Sequence, residues 1–195
     1  MPHEPLIASD GGLAIRRLRD DDADYALLVR WRSMPHVREW WDPDDPPPTL
    51  DEIRSHYGPR TDPSRSTTAC VIELAGGPVG YVQFYRWADE ITGGPDDMDI
   101  PLDDDPWGLD IMIGEPDLAG TGIGSRTVAL LCDSLHRERG ATTVLLDTEL
   151  ANLRAQRAYE KAGFRKVRHI LDTDTRDGER VWCWLMAWTA PTPTS

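Results

Sequence analysis

The glycine-rich turn of this chain is Leu118-Ala119-Gly120-Thr121-Gly122-Ile123-Gly124-Ser125, and a predicted helix follows it. Gly120, Gly122 and Gly124 carry no Cβ, so consecutive backbone N–H groups can point into one concavity. The N-terminus of the following helix adds a partial positive charge at the same place. The turn is therefore suited to bind the oxygens of a pyrophosphate, although turns of this kind also occur for packing alone.

Two familiar nucleotide-binding turns do not fit these residues. A P-loop requires Gly-x-x-x-x-Gly-Lys followed by Ser or Thr, and the lysines of the chain are Lys161 and Lys166, neither of which lies in the turn. A dinucleotide-binding turn requires Gly-x-Gly-x-x-Gly, whereas the spacing here is Gly-x-Gly-x-Gly. Both interpretations are rejected on the residues present.

The composition limits the classes of protein that the chain can belong to. With 195 residues, 39% of them hydrophobic, the chain is long enough for one well-packed domain, which we expect over residues 1–190, with a disordered tail over 191–195. Cys70, Cys132 and Cys183 lack metal-ligand spacing, so no metal site is expected and the thiols are interpreted as buried small side chains. We find no signal peptide and no membrane-spanning run, and we expect a cytoplasmic protein, monomeric or homodimeric.

The net charge of −13 disfavours nucleic acid and anionic membranes as partners and favours a cationic small molecule. Solubility alone is an equally good explanation of such a charge. Six aspartates crowd the stretch from Asp96 to Asp105, directly before a predicted strand. This run is either a solvated loop or a region that attracts a cationic substrate.

The hydrophobic patterns predict an α+β order of elements, with a helix that Asp20 caps and a Thr49–Glu52 capping box at the start of a short helix. The predicted strands are Leu13 to Arg17, Thr67 to Leu74, Val79 to Trp87, Trp107 to Ile113, Thr143 to Thr148, Arg165 to Leu171 and Val181 to Trp188. The longer predicted helices are Asp22 to Arg32, Ile123 to Glu138 and Asn152 to Ala162. A long connection, from Ala88 to Pro106, is expected to be a functional or mobile loop.

A second stretch strengthens the interpretation of the turn: Asn152-Leu153-Arg154-Ala155-Gln156-Arg157-Ala158-Tyr159-Glu160-Lys161-Ala162-Gly163-Phe164. Together the two stretches resemble the cofactor motifs of the GCN5-related N-acetyltransferases, the GNAT superfamily. The resemblance implies the acyl-CoA N-acyltransferase fold, a mixed and mostly antiparallel sheet flanked by helices. It also implies that two parallel strands, here Trp107 to Ile113 and Thr143 to Thr148, splay apart around the thioester of acetyl-CoA.

The same resemblance implies which residues bind acetyl-CoA. They lie on the splayed strand, on the glycine turn and on the second helix: Ile111, Met112, Ile113, Ala119, Gly120, Thr121, Gly122, Ile123, Gly124, Ser125, Asn152, Ala155 and Lys161. Two positions depart from the family pattern, because Ala119 stands where Gln or Arg is usual and Thr121 where Lys or Arg is frequent. We therefore expect the pyrophosphate to depend on backbone amides, with Arg126 and Lys161 as electrostatic support.

Outside these motifs the chain contains, in order, Arg38-Glu39-Trp40-Trp41, Tyr57, Gly80-Tyr81-Val82-Gln83, Gly108-Leu109-Asp110, Asp147 and Asp177-Gly178. In order and approximate spacing these residues resemble the aminoglycoside 6'-N-acetyltransferases. A polyammonium substrate needs carboxylates for charge-assisted hydrogen bonds and aromatic faces for its rings and cations. The residues expected to bind it are Trp40, Trp41, Tyr57, Asp96, Asp97, Asp147 and Asp177. Each of the two tryptophans could instead be an ordinary core side chain.

The resemblance makes Asp110 the base that takes a proton from the acceptor amine and Tyr159 the acid that protonates the leaving thiolate. Asp110 could instead accept only a structural hydrogen bond, and Tyr159 could be a core aromatic. Two alternative functions also remain at this stage. One is an N-acyltransferase of hydroxamate siderophore assembly, which usually has His in place of Asp110, and the other is an acetyl-CoA-binding regulatory module without turnover.

Overall fold

A computed structural model describes residues 6–90 and 105–191, without the side chains of Glu90 and residues 172–175. Asp96 and Asp97, most of the acidic run and residues 192–195 lie outside the described residues. The predictions for that run and for the last four residues of the tail are therefore not addressed by this structure.

Eight strands and six α-helices follow one another along the described chain. The strands are β1 (Leu6–Asp10), β2 (Leu13–Arg17), β3 (Thr68–Leu74), β4 (Gly77–Arg86), β5 (Trp107–Ile113), β6 (Thr143–Glu149), β7 (Arg165–Arg176) and β8 (Glu179–Thr189). The helices are α1 (Asp22–Arg32), α2 (Pro35–Arg38), α3 (Leu50–Tyr57), α4 (Trp87–Glu90), α5 (Ile123–Arg139) and α6 (Leu153–Lys161), with short 3₁₀ helices at Gly58–Thr61 and Pro116–Leu118. No helix in these residues is both long and apolar enough to cross a membrane.

All eight strands form one sheet in the order β1-β2-β3-β4-β5-β6-β8-β7. Neighbouring strands pair antiparallel except β5 and β6, which pair parallel. Helices cover both faces: α5 packs with one face in a core that includes Leu131, Phe84 and Leu109. On the opposite face, α1 and α3 pack with Val71 and Tyr81. This architecture confirms the α+β fold with a mixed, mostly antiparallel sheet.

Several local predictions are confirmed by the structure. The capping box of α3 is present, because the Thr49 hydroxyl accepts from Glu52 N and the Glu52 carboxylate accepts from Thr49 N. Helix α5, predicted over Ile123 to Glu138, spans Ile123–Arg139 and is capped by Gly140, which has a left-handed backbone. The helix buries Val128, Leu131 and Leu135 on one side, and Cys70, Cys132 and Cys183 are free, buried thiols, as expected.

Three local predictions were wrong or incomplete. Asp21, not Asp20, caps α1, and Asp20 instead accepts a hydrogen bond from the Tyr25 hydroxyl at 2.5 Å. Strand β1 was not predicted, since its five residues end at the Gly11–Gly12 turn and only Ala8 is buried. The connection after β4 starts with the short helix α4 rather than with an irregular loop.

A buried carboxylate joins α1 to strand β2. Asp24 is fully buried and accepts from both terminal nitrogens of Arg16, at 2.6 and 2.9 Å, and from Arg19. Burial raises the pKa of this carboxyl, but the hydrogen bonds from the two arginines lower it more, so that the pKa lies below its ordinary value. Asp24 is therefore ionised at neutral pH and holds α1 in place.

Candidate active site

Strands β5 and β6 separate after a short stretch of parallel pairing. Only Trp107 with Val144 and Gly108 with Leu145 pair, although β5 continues to Ile113 and β6 to Glu149. Beyond Gly108 the edge of β5 that faces β6 is no longer paired with it. The opposite edge of β5 stays paired with β4 as far as Ile113. The predicted splay is therefore present, and a cavity of about 780 Å³ lies at it.

Two walls of this cavity come from the segments that the motifs predicted. On one side lie Asp110, Ile111, Met112 and Ile113 of β5, followed by Ala119, Gly120, Gly122, Gly124 and Ser125 of the glycine turn. On the other lie Asp147, Thr148 and Glu149 of β6 and Asn152, Ala155 and Tyr159 at α6. The structure thus brings together most of the residues that the sequence motifs singled out.

The glycine turn forms its concavity through backbone conformation. Gly120 and Gly122 have φ of +82° and +96°, values that L side chains rarely adopt, and Gly122 is the N-cap of α5 without a side-chain cap. The N–H groups of the next three residues, Ile123, Gly124 and Ser125, lie in the first turn of the helix, where backbone donors lack helical acceptors. This is the cradle that an anionic group requires.

Not every residue of the turn faces the cavity. The Ile123 side chain is 6% exposed and packs in the core beneath α5. The Thr121 hydroxyl donates to Leu118 O at 2.8 Å, and the Thr121 side chain does not line the cavity. Both positions can offer a ligand only their backbone. Arg126 lies in a separate groove with Asp10 and Asp133, so its predicted electrostatic support for the pyrophosphate is not what the structure shows.

Basic side chains along one face of α6 line the cavity. Arg154, Arg157 and Lys161 follow the spacing i, i+3 and i+7, which places them on one face of the helix. The sequence prediction included Lys161 and missed the two arginines, although this spacing was visible. Asn152 caps the helix by accepting from Ala155 N at 3.1 Å, so part of its role is structural.

Two carboxylates and a tyrosine meet at the splay. Asp110 and Asp147 are half-buried and lie on the separated parts of β5 and β6. Tyr159 reaches the same cavity from α6, with its ring packed near Phe164. Burial raises the pKa of the Tyr159 hydroxyl, and the carboxylates of Asp110 and Asp147 raise it further. The hydroxyl therefore keeps its proton at neutral pH.

The position of Asp110 depends on its neighbours in β4. Gln83 stands directly across the ladder from Asp110, and its Nε2 donates to Asp110 Oδ2 at 2.6 Å. Tyr85 lies over Gly108, where a Cβ would come within 2.3 Å of the ring, and its hydroxyl points to Asp110 Oδ1 at 3.4 Å. The glycine two residues before Asp110 therefore makes room for a tyrosine beside the carboxylate.

Aromatic side chains also line the cavity. Trp40 and Trp41 are half-buried and line it, and Trp41 makes an edge contact with Tyr81 at 6.1 Å between centroids. Tyr57 also borders the cavity but is fully buried, and its hydroxyl is buried without a hydrogen-bond partner among the described residues. Tyr57 therefore contributes packing behind the wall rather than an open aromatic face.

Asp177, expected to bind substrate, does not line the cavity among the described residues. It is exposed, with φ of +55°, in the turn between β7 and β8. The N–H groups of Asp177 and Gly178 donate to the two carboxylate oxygens of Asp44 at 2.8 and 3.1 Å. The turn thus docks on the segment that carries Trp40 and Trp41. The exposed side chain of Asp177 lies outside the cavity.

The charges of the cavity are unevenly distributed. Asp42, Asp110, Asp147 and Glu149 are acidic lining residues, whereas Arg154, Arg157 and Lys161 supply positive charge along α6. His56 and Arg60 also line the cavity, and partial burial lowers the pKa of His56, with Arg60 and Arg32 lowering it further. His56 is therefore neutral at pH 7. One cavity thus offers basic groups for an anionic ligand and carboxylates for a cationic one.

Comparison with known proteins agrees with this geometry. A family model described as the acetyltransferase (GNAT) domain matches residues 20–171. The aminoglycoside N(6')-acetyltransferases type 1 of Klebsiella pneumoniae and Serratia marcescens are each 32% identical over 161 residues, covering 82% of this chain and 76% of theirs.

Solved structures of AAC(6')-Ib have the same fold. Its complex with ribostamycin and coenzyme A superposes with a TM-score of 0.76 at 27% identity, covering 92% of this chain and 94% of that one. Its complex with coenzyme A and kanamycin gives a TM-score of 0.74 at 28% identity, over 91% and 94%. With the splayed β5–β6 pair and the glycine turn, these matches establish that the chain belongs to the GNAT acetyltransferase family.

Proposed function

We propose that this protein transfers the acetyl group of acetyl-CoA to the 6'-amine of an aminoglycoside antibiotic, and so confers resistance. The observation that carries this proposal is the meeting of Asp110, Asp147 and Tyr159 at the splay of β5 and β6. The aminoglycoside N(6')-acetyltransferases to which the chain is similar, and the complexes of AAC(6')-Ib with aminoglycosides, support the choice of acceptor.

The residues present fit acetyl-CoA. The concavity at Gly120 and Gly122 offers backbone donors at a helix N-terminus for a pyrophosphate, and Arg154, Arg157 and Lys161 offer positive charge beside it. The edge of β5 from Ile111 to Ile113, which β6 leaves unpaired, offers backbone groups to the rest of the molecule. Acetyl-CoA supplies an acetyl group activated as a thioester.

The carboxylates are placed to hold and deprotonate a cationic acceptor. An aminoglycoside amine arrives largely as ammonium and must lose a proton before it can attack. We assign Asp110 to accept that proton at its carboxylate, and Asp147 to bind a further ammonium group by a charge-assisted hydrogen bond. The half-buried Trp40 and Trp41 provide flat faces for sugar rings and cations.

Tyr159 is assigned as the proton donor to the leaving group. Its raised pKa keeps the hydroxyl protonated at the pH where Asp110 is required as a base. A carboxylate and a protonated phenol in one cavity separate the roles of base and acid between two groups. The departing thiolate would take its proton from the Tyr159 hydroxyl.

The experiment is an amine panel with acetyl-CoA, in which released thiol is measured with a chromogenic reagent. Turnover of kanamycin and tobramycin, with 6'-N-acetylation located by NMR, is the expected result. Asp110→Asn should lower kcat by about 10²-fold or more, the scale of a lost general base, without changing the KM for acetyl-CoA. No turnover of any aminoglycoside, together with turnover of hydroxylysine-type amines, would contradict the proposal. An unchanged kcat in Asp110→Asn would exclude Asp110 as the base.

A further inference from the structure

A chain of hydrogen bonds connects a cation in the cavity wall to the carboxylate assigned as the base. Arg60, in the 3₁₀ helix after α3, donates from NH1 to Gln83 Oε1 at 2.6 Å. Gln83 donates in turn from Nε2 to Asp110 Oδ2 at 2.6 Å. The three residues are 23 and 27 positions apart along the sequence, so only the fold brings them together.

Gln83 is confined between these two partners. Its side chain is 8% exposed, and its oxygen also accepts from the Tyr81 hydroxyl at 2.7 Å. Tyr81 and Gln83 are on the same face of β4 because strand side chains alternate, and Gln83 is opposite Asp110 in the ladder. The amide therefore has a donor end directed to Asp110 and an acceptor end directed to Arg60 and Tyr81.

Arg60 is the group that makes this orientation obligatory. An amide rotated by 180° would set its NH2 group against Arg60 and its oxygen against a carboxylate. A guanidinium can only donate and an ionised carboxylate can only accept, so both contacts would become repulsive. The Tyr81 hydroxyl can donate or accept and would tolerate either orientation. Without Arg60, only the ionised state of Asp110 would hold the amide.

Arg60 is itself held in place. Its guanidinium carbon lies 5.3 Å from the centroid of the Tyr57 ring, a cation–π contact with a fully buried aromatic. The residue is half-buried, and it borders the same cavity as Asp110. It thus acts on Asp110 through Gln83 from a fixed position.

We propose that Arg60 and Gln83 are positioning residues for Asp110: Arg60 fixes the Gln83 amide, and the amide aims the Asp110 carboxylate and favours its ionised form. This inference rests on the proposed role of Asp110 as the base. A donor on the carboxylate stabilises the anion and disfavours the protonated acid. Asp110 therefore starts each cycle ionised and, after accepting a proton, releases it readily.

The test compares Arg60→Ala and Gln83→Met with the native chain. Arg65→Ala is the matched control, because Arg65 is an exposed arginine that follows the same 3₁₀ helix. The pH dependence of kcat/KM for kanamycin should show its acidic limb moved to higher pH, by about one unit in Gln83→Met and by a fraction of a unit in Arg60→Ala, since each loses stabilisation of the anion. The KM for acetyl-CoA should stay constant, and Arg65→Ala should match the native profile.

A double variant distinguishes action through the amide from a direct charge effect. If Arg60 acts through Gln83, Arg60→Ala should move the acidic limb no further in the Gln83→Met background. An equal shift of the limb in both backgrounds would mean that Arg60 acts by its charge alone and would overturn the inference. Acidic limbs that coincide with the native one in both single variants would also overturn it.

A second measurement does not depend on the acceptor. The ¹³C resonance of the Asp110 carboxyl, assigned by its loss in Asp110→Asn, reports its titration directly in each folded variant. The pH midpoint of this titration should rise in both variants, and it should rise more in Gln83→Met than in Arg60→Ala. Absence of aminoglycoside turnover in the native protein would refute the proposed function, whereas unchanged carboxyl midpoints would refute the positioning role. Should Gln83→Met not fold, Arg60→Ala alone decides by this titration.

Discussion

Arg176 at the end of β7 binds both carboxylate oxygens of Glu149 at the end of β6, at 2.8 and 3.2 Å. The same guanidinium donates to Glu39 O at 2.5 Å and lies 5.2 Å from the centroid of the Trp40 ring. One side chain therefore connects the β7–β8 hairpin, the strand that carries Asp147 and the tryptophan segment. Arg176 thus holds together Trp40 and Glu149, two residues that line the cavity.

Replacing Arg176 by Ala should weaken binding of the acceptor. The Trp40 segment would lose two contacts, the hydrogen bond to Glu39 O and the cation–π contact with Trp40. The Glu149 carboxylate would lose an ion pair in a partly solvated site, where such a pair contributes at most about 1 kcal/mol. We expect the KM for kanamycin to rise about threefold to tenfold and the KM for acetyl-CoA to remain constant. Steady-state kinetics provide the measurement. Arg165→Ala, an exposed charge at the start of the same strand, is the control, and an equal rise of KM in both variants would contradict the assignment.

Replacing Tyr159 by Phe should lower kcat with little change in either KM. The ring packing near Phe164 is retained, and only the hydroxyl that would protonate the thiolate is lost. The expected loss is about 10-fold to 10²-fold, the scale of general acid catalysis. Because burial and the two carboxylates raise the pKa of this hydroxyl, activity of the native protein should show no decline from its ionisation below pH 10. A kcat equal to the native value would exclude Tyr159 as the acid.

Two glycines of the turn should respond differently to alanine. Gly122 has φ of +96°, so Gly122→Ala should lower the free energy of unfolding by about 1–2 kcal/mol even though its Cβ would meet no atom within 4 Å. Gly124 is helical, and its Cβ would meet Ile113 Cγ1 at an ordinary 3.7 Å. Gly124→Ala should therefore keep the native stability. Because Gly124 lines the cavity, the added methyl group should raise the KM for acetyl-CoA. Denaturant unfolding and kinetics separate the two effects, and native cofactor binding by Gly124→Ala would show that this position tolerates a methyl group.

The Asp24 carboxylate should make stability depend on pH. Its pKa is lower in the folded protein than in the unfolded chain, so its contribution is complete above the unfolded pKa and is lost as pH falls through the folded one. Asp24→Asn should cost about 3 kcal/mol at pH 7, because Arg16 is left buried without its main partner. The cost should shrink below about pH 4. Urea titrations at both pH values measure it, with Asp51→Asn, whose side chain is 92% exposed, as a near-neutral control.

The parts of the site that the sequence predicted are those encoded by local pattern. The glycine turn and the α6 helix each follow from a contiguous stretch, and the alternation of β5 places Asp110 and Met112 on one face. The splay of β5 and β6 was expected only because these stretches resemble the cofactor motifs of a known family. The Arg60–Gln83–Asp110 chain could not be predicted, because no spacing relates Arg60 to a strand 23 residues later.

Two further differences have local causes. Three consecutive aspartates, Asp20 to Asp22, span the start of α1, and which of them becomes the cap depends on a shift of one residue, which the backbone decides. Asp177 was expected at the substrate because of its motif, but its left-handed turn directs backbone N–H groups to Asp44, a contact that sequence spacing cannot reveal.

Gln156 ties the first turn of α6 to the end of β6, because its Nε2 donates to Glu149 O and Leu150 O at 3.1 and 3.0 Å. The helix that carries Tyr159 and the strand that carries Asp147 are thereby joined as one unit. Side chains connect the tryptophan segment to the β7–β8 turn and to the end of β6, since Arg176 contacts Glu39 O, Trp40 and Glu149 and the Asp44 carboxylate accepts from the turn. Diversification of the acceptor range in natural or laboratory evolution should therefore accumulate in those two segments, leaving the catalytic groups in register.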